Sequence, residues 1–264
     1  MLPTIPPDIA PWLYYLYVGV AVLMIGLTKS GFGMGAGLLG ISLLALAMPP
    51  QEMLGITLVL LILGDIPANI SHRGHQNWGL LCWLIVGAVL GVAIGSVMLV
   101  MLQGLPSEQL QRAMRLTIGA ICLGVIVLQA FRLFGKGMST LPMHPVSSIV
   151  VAAVAATVST LAHAAGPIIG VYLLQARLTR RKFVGTLAMY FLLINLVKVP
   201  TFIWRELLTL ETLRNTIWTL PVGALGAVLG FWMHNRIPEK TFSVVIYVGT
   251  TAAAAKLILM AIVG

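Results

Sequence analysis

The stretch Gly26-Leu27-Thr28-Lys29-Ser30-Gly31-Phe32-Gly33-Met34-Gly35-Ala36-Gly37 sets five glycines and a lysine between two apolar segments that otherwise read as membrane helices. Backbone polar groups in the hydrocarbon layer must be satisfied internally, so an unwound stretch is tolerated there only where it is buried in protein or lines a watery cavity. Such a break is a candidate binding site, and the class it implies is a transporter.

Composition points the same way. With 59% hydrophobic and 9% charged residues among 264, and a mean hydropathy of +1.01, the chain has too little polar surface to cover a soluble globule, so its solvent is lipid. A net charge of +9 would suggest nucleic acid in a soluble protein. Here the basic residues sit in short loops between apolar runs, where membrane orientation and anionic headgroups account for them, and no nucleic-acid partner is expected. Cys82 and Cys122 lie inside apolar runs, are too few for a metal cluster, and read as two small buried hydrophobes. The leading residues MLPTIPPDIAPW carry no basic n-region and no small-residue cleavage site, so the first apolar segment is expected to stay as a helix.

Apolar stretches bounded by turn residues fall near 12–27, 36–48, 53–70, 79–102 and 112–132, then 147–160, 167–176, 183–204, 215–233 and 242–262. A full crossing needs about 20 residues, so 36–48 and 167–176 read as half-helices or arms of re-entrant hairpins, each paired with the segment before it. The expected organisation is a first repeat over 1–134 with a broken segment at 12–48, a linker over 135–146, and a second repeat over 147–264 with a broken segment at 147–176. Leu43-Leu44 before Gly55 matches Leu173-Leu174 before Gly185; Gly91 and Gly95 match Gly226 and Gly230; Leu105-Pro106 matches Ile237-Pro238. Small residues four apart also serve close helix packing, but the shared order of elements argues for an internal repeat.

Loop charge orients the halves, because cytoplasmic loops carry the excess of lysine and arginine. With an odd number of crossings per half, one side collects Arg73, Arg132, Lys136, Arg177, Arg180, Arg181, Lys182, Arg236 and Lys240. The other side keeps mainly Arg112, Arg115, Arg205 and Arg214, with Glu108, Glu206 and Glu211 beside them. The fold class expected is therefore an all-α integral membrane protein, a helical bundle of two inverted-topology repeats, with both termini outside.

In inverted-repeat transporters the substrate lies near the midplane, where discontinuous helices from both halves direct their free ends at it. Helix N-termini offer unpaired N–H groups and partial positive charge, which suits an anion. The first break ends in such an N-terminus near Gly35, after Gly31 and Gly33; the second, Ser159-Thr160-Leu161-Ala162-His163-Ala164-Ala165-Gly166-Pro167, restarts at Gly166 with a proline in the first turn. A lysine within the membrane costs roughly 2.5–3.5 kcal/mol on insertion scales, so Lys29 and Lys198 each need an explanation. Lys198 lies well inside its segment; Lys29 fits a cytoplasmic turn equally well. Asp65 and Lys198 each precede a proline by two residues, which fits an ion pair between the halves as well as a role in proton coupling. Shifting the register by three matches Asp65 to Asn195 instead.

His163 has the chemistry to hydrogen-bond an oxyanion or carry a proton, and equally that of a satisfied core histidine. Thr28, Ser30, Thr160 and Asn195 offer neutral hydrogen bonds to an anion or to backbone freed at the breaks. His72 and His75 form an HxxH pair without a third ligand and read as a solvated loop. Lys256 reads as snorkelling towards the outer face. There is no GxSxG elbow, no HExxH and no phosphate loop, so an enzyme is a poor second to a carrier, and no cofactor or metal is expected. A channel stays open as a third class, because a glycine-rich hairpin also lines pores.

Gly26-x-x-Lys29-x-Gly31-x-Gly33-x-Gly35, the following leucine-rich half-helix, Pro49-Pro50 and the Gly64-Asp65 helix resemble the TauE/SafE family of sulfite and organosulfonate exporters. Gly166-Pro167, the basic stretch before Phe183-Val184-Gly185-Thr186, and Asn195 with Lys198 carry the likeness through the second half. The resemblance implies a multi-pass bacterial inner-membrane carrier of small sulfur anions, sulfite, sulfoacetate or thiosulfate among them, moved outward. The resemblance implies the anion and the bilayer as partners; the residues themselves add a coupling proton on Asp65 or His163, and a homodimer is a further expectation. Export of small carboxylates is the alternative within the same fold. The chain departs from the family pattern at His163 and its alanines, where a break richer in glycine and threonine is expected.

Overall fold

The computed structural model describes residues 9–29, 35–134, 143–234, 236 and 239–263. Its helices run α1 (Pro11–Lys29), α2 (Ala36–Ala47), α3 (Pro50–Ser71), α4 (Trp78–Gln103), α5 (Ser107–Phe134), α6 (Pro145–Ala162), α7 (Gly166–Gln175), α8 (Arg180–Trp204), α9 (Leu210–Ile217), α10 (Leu220–His234) and α11 (Glu239–Val263). No strand occurs among the described residues. Seven helices (α1, α3, α4, α5, α6, α8 and α11) are long and apolar enough to cross a bilayer, while α2, α7 and the apolar part of α10 are shorter. The chain is an all-α integral membrane protein.

Turn chemistry sets the helix ends. Proline opens α3 and α6 and lies in the first turn of α7, where its missing N–H costs nothing. Asn77, Thr179 and Thr209 cap α4, α8 and α9 by accepting from the backbone N–H groups of Leu80, Lys182 and Thr212. The segment expected as one helix over 215–233 is instead divided between α9 and α10, with a turn at Trp218-Thr219. Pro221 explains the division: it has no N–H to give the carbonyl of Ile217, four residues back and the last residue of α9.

The short helices α2 and α7 double back on their predecessors. Gly40 faces Ala21 and Ile25 while Gly37 faces Thr28, so α2 runs antiparallel to α1. The Tyr172 hydroxyl, late in α7, bonds Ser147 (3.0 Å) and Ser148 (2.9 Å) at the start of α6, so α7 returns along α6.

Glycine carries the closest helix contacts. Gly87, Gly91 and Gly95 of α4 lie against Ile149, Ala153 and Thr157 of α6, in rising order on both helices, so the two run parallel. Thr157 Oγ1 donates to the Gly91 carbonyl at 3.0 Å across that seam. Gly226 of α10 meets Leu23 of α1 in the same way that Gly91 meets Ala153. Gly55 of α3 packs on the Leu207 carbonyl in the turn after α8, and Gly185 of α8 packs on His75 in the turn after α3. These contacts are reciprocal between the two halves of the chain. Small residues permit backbone approach where lipid offers no hydrophobic drive to associate.

Cys122 is buried, with Ser42 Oγ 3.4 Å from its sulfur, but Cys82 is exposed. The expectation of burial fails for Cys82 because both faces of a lipid-embedded helix are apolar, so an apolar run does not imply an inward side chain. On the same helix Trp83, Val86, Leu90, Ile94 and Met101 also face outward.

Candidate functional site

Lys198 of α8 is fully buried, at 0% exposure. Its ammonium donates to Ser159 Oγ (2.7 Å), the Ser159 carbonyl (3.1 Å) and Asn195 Oδ1 (3.1 Å), and stands 3.4 Å from His163 Nδ1. The ammonium thus faces more acceptors than it has protons. The Ser159 carbonyl belongs to the last turn of α6 and also accepts from the His163 N–H at 2.9 Å. A helix C-terminus carries partial negative charge, so α6 aims its favourable end at the cation.

Hydrogen-bond partners fix the ring and amide orientations. His163 Nε2 lies 3.0 Å from the Leu54 carbonyl of α3, which only accepts. Nε2 must therefore carry the proton, leaving Nδ1 of the neutral ring to accept from Lys198. Asn195 Nδ2 donates to Asp65 Oδ2 at 3.0 Å, while its Oδ1 faces Lys198. Asn195 is thus a relay: carboxylate, amide and ammonium follow one another from α3 to α8. One turn further along α3, Asn69 Nδ2 donates to the Asp65 carbonyl (2.9 Å) and to the Ala188 carbonyl of α8 (3.0 Å). Asp65, Asn69, Asn195 and His163 are all buried.

The second break holds a backbone that only glycine adopts without cost. His163 caps α6 at φ 50°, ψ 24°, in the left-handed region, and its ring packs edge-on against Phe202, with centroids 6.0 Å apart. A non-glycine residue there is strained, and the contacts to Leu54, Lys198 and Phe202 hold it in place.

Of the residues expected to form a site, Asp65, His163, Asn195 and Lys198 are brought together. Thr160 points away from them: its hydroxyl bonds the Ala156 carbonyl, and its Cβ faces Gly95 of α4. The Thr28 hydroxyl bonds the Ile25 carbonyl within its own helix. Gly166 opens α7 behind buried Ala164 and Ala165. Gly35 lies against Tyr247 of α11, and Leu27 and Ala36 cluster with Phe242 and Ile246. The described flanks of the first break therefore pack on α11, whereas His163 packs on α3 and α8. Ser30, Gly31 and Gly33, and the side chain of Lys29, lie outside the described residues.

Three participants escape the sequence reading: Ser159, Asn69 and the Leu54 carbonyl. Ser159 had a signal, since it stands four residues before the break histidine and so shares its helix face. Asn69 had another, one turn beyond Asp65. The Leu54 carbonyl had none, because any backbone offers one.

A family profile described as the sulfite exporter TauE/SafE matches residues 18–257. No curated protein and no solved structure gives a significant match to the chain.

Proposed function

The chain belongs to the sulfite exporter TauE/SafE family, and from that premise we propose that it is a secondary carrier, not an enzyme, exporting small sulfur-containing anions. The observation that carries this reading is a fully buried lysine whose ammonium donates to Ser159 and to Asn195, itself bonded to Asp65, beside His163. A buried cation is expensive unless paired, and an oxyanion is the chemical equivalent of the partners it already has. Arrival of a sulfite-type anion lets Lys198 exchange the Asn195 amide oxygen for a substrate oxygen, and Asp65 is then left to take up a proton or to repel the anion onward. His163, donating from Nε2, is the second proton candidate.

The reciprocal glycine contacts support two halves of inverted topology that rock against each other in alternating access. The helix directions support it too. Because α3 and α8 contact each other in opposite chain order and α4 runs with α6, the turns carrying Arg73 and Arg177 to Lys182 fall on one side. That basic side is then cytoplasmic and the termini are outside, in a bacterial inner membrane.

The test is counterflow in proteoliposomes. Vesicles loaded with unlabelled sulfite, thiosulfate, sulfoacetate or small dicarboxylates are challenged with labelled sulfite, with and without an imposed pH gradient. Uptake driven by the sulfur anions and altered by the gradient is expected. Uptake driven only by dicarboxylates would overturn the substrate class, and flux without counterflow would mark a channel.

A further inference from the structure

A cleft of about 530 Å³ opens where α3 ends, lined by Asn69, Ile70, Arg73, Gly74, Gln76, Trp78 of α4 and Met189 of α8. Its relation to the buried network is direct. Asp65 and Asn69 stand one turn apart on one face of α3, and Arg73 follows in the turn after its C-terminus. Asn69, bonded to the Asp65 carbonyl, forms part of the cleft wall while Asp65 is already tied to Asn195. Asn69 thus touches both the cleft and the turn of α3 that carries Asp65. Asn69 Oδ1 is buried with no hydrogen-bond partner, an acceptor whose desolvation is uncompensated in this arrangement.

The cleft walls are anchored. Thr186 Oγ1 of α8 accepts from the Asn77 N–H at 2.9 Å, Gly185 packs against His75, and Gln76 accepts from the Gly74 N–H at 3.0 Å. Arg73 is the one charged residue among those lining the cleft, and neither the turn 72–77 nor the stretch 176–182 on the same side of the bundle contains an acidic residue. A concave site lined with positive charge raises the local concentration of anions and their rate of capture.

We infer that this cleft is the mouth through which the transported oxyanion reaches the buried file, with Arg73 as the positioning residue that captures it and Asn69 as the gate. The inference rests on the carrier reading above and adds the side and route of approach. Arg73 acts on capture and does not touch the anion at Lys198, so its loss raises KM and leaves kcat in place.

Efflux of labelled sulfite from right-side-out proteoliposomes, in zwitterionic lipid with and without phosphatidylglycerol, tests it with Arg73→Ala, Arg73→Glu and Arg73→Lys. Removing the charge is expected to raise KM by about 10-fold at low salt, the lower end of electrostatic steering. Reversing the charge raises it further, Arg73→Lys restores most of it, and the difference shrinks at high ionic strength. A KM equal to wild type in all three variants overturns the mouth while leaving the carrier reading intact. A response of the variants to phosphatidylglycerol content without a change in KM assigns the cleft to a lipid headgroup and also overturns it. Absence of sulfite flux in the wild type removes the carrier reading, and the mouth with it.

Discussion

Asn195 donates to Asp65 across the α3–α8 boundary at 3.0 Å, and each stands 22 residues beyond the first leucine of a Leu-Leu pair, Leu43-Leu44 and Leu173-Leu174. A contact between positions so matched is what the proposed inverted repeat would produce. The register that also pairs Gly55 with Gly185 is thus the one that brings side chains together. Lys198, three residues on and so on the same helix face, joins through Asn195.

The swap of these two residues separates charge from hydrogen bonding. Asp65→Asn keeps an acceptor for Asn195 but removes the carboxylate at the far end of the relay from Lys198; Asn195→Asp sets two carboxylates against each other. The double variant Asp65→Asn, Asn195→Asp restores one acid and one amide, with the acid now beside the ammonium. Each single change is expected to lower the melting temperature, and the double to recover it, with a coupling of about 1–3 kcal/mol. Additive losses would show that the pair does not act as a unit.

Lys198→Ala should abolish oxyanion transport while the protein still reaches the membrane. The deletion strands Ser159 Oγ, Asn195 Oδ1 and His163 Nδ1 without their donor, and breaking a buried charged network costs about 3–5 kcal/mol. Lys198→Met fills the volume and serves as the better-folded companion. Monodisperse protein with no flux is the outcome expected for Lys198→Met; flux at the wild-type level would remove Lys198 from the site.

Glycine positions divide by what a methyl group would meet. At Gly91 and Gly226 it would strike the carbonyls of Ala153 and Leu23, while at Gly19 and Gly124 it meets nothing within 4 Å. Gly91→Ala and Gly226→Ala are therefore expected to destabilise by about 1–3 kcal/mol. Gly19→Ala and Gly124→Ala gain about 0.5–1 kcal/mol from helix propensity. Thermal unfolding of the four variants in one lipid environment reads the sign directly. Destabilisation at Gly19 equal to that at Gly91 would contradict the packing.

Helix positions were legible in the sequence because their ends are written in local chemistry: Pro50, Pro145, Pro167, Asn77 and Thr179 each act within a turn of where they stand. Pro221 carried the same signal but lay inside a hydrophobic run that hid it. Facing was not legible. In lipid both sides of a helix are apolar, so Cys82 and Cys122 look alike in sequence although one is exposed and the other buried. Asp65, Asn195, Lys198 and His163 stood out because polar groups at membrane depth demand partners. Their company did not: Thr160 and Ser159 are adjacent, yet the step of one residue turns Thr160 towards α4 and Ser159 towards Lys198.

The left-handed His163 offers the sharpest separation of strain from function. His163→Ala and His163→Gly remove the same ring and the same bonds to Leu54 and Lys198, but alanine keeps a Cβ in a conformation at φ 50°. Glycine is relieved of that penalty, so His163→Gly should be more stable than His163→Ala by about 1–2 kcal/mol. Transport separates the two roles of the residue. If the imidazole matters only as packing, the glycine variant should recover flux in step with its stability. If the ring supplies the Nε2 proton or orients Lys198, both variants lose flux equally while differing in melting temperature, which is the outcome expected from the Lys198 contact. Equal melting temperatures for the two would show that the backbone relaxes out of the left-handed region once the ring is gone.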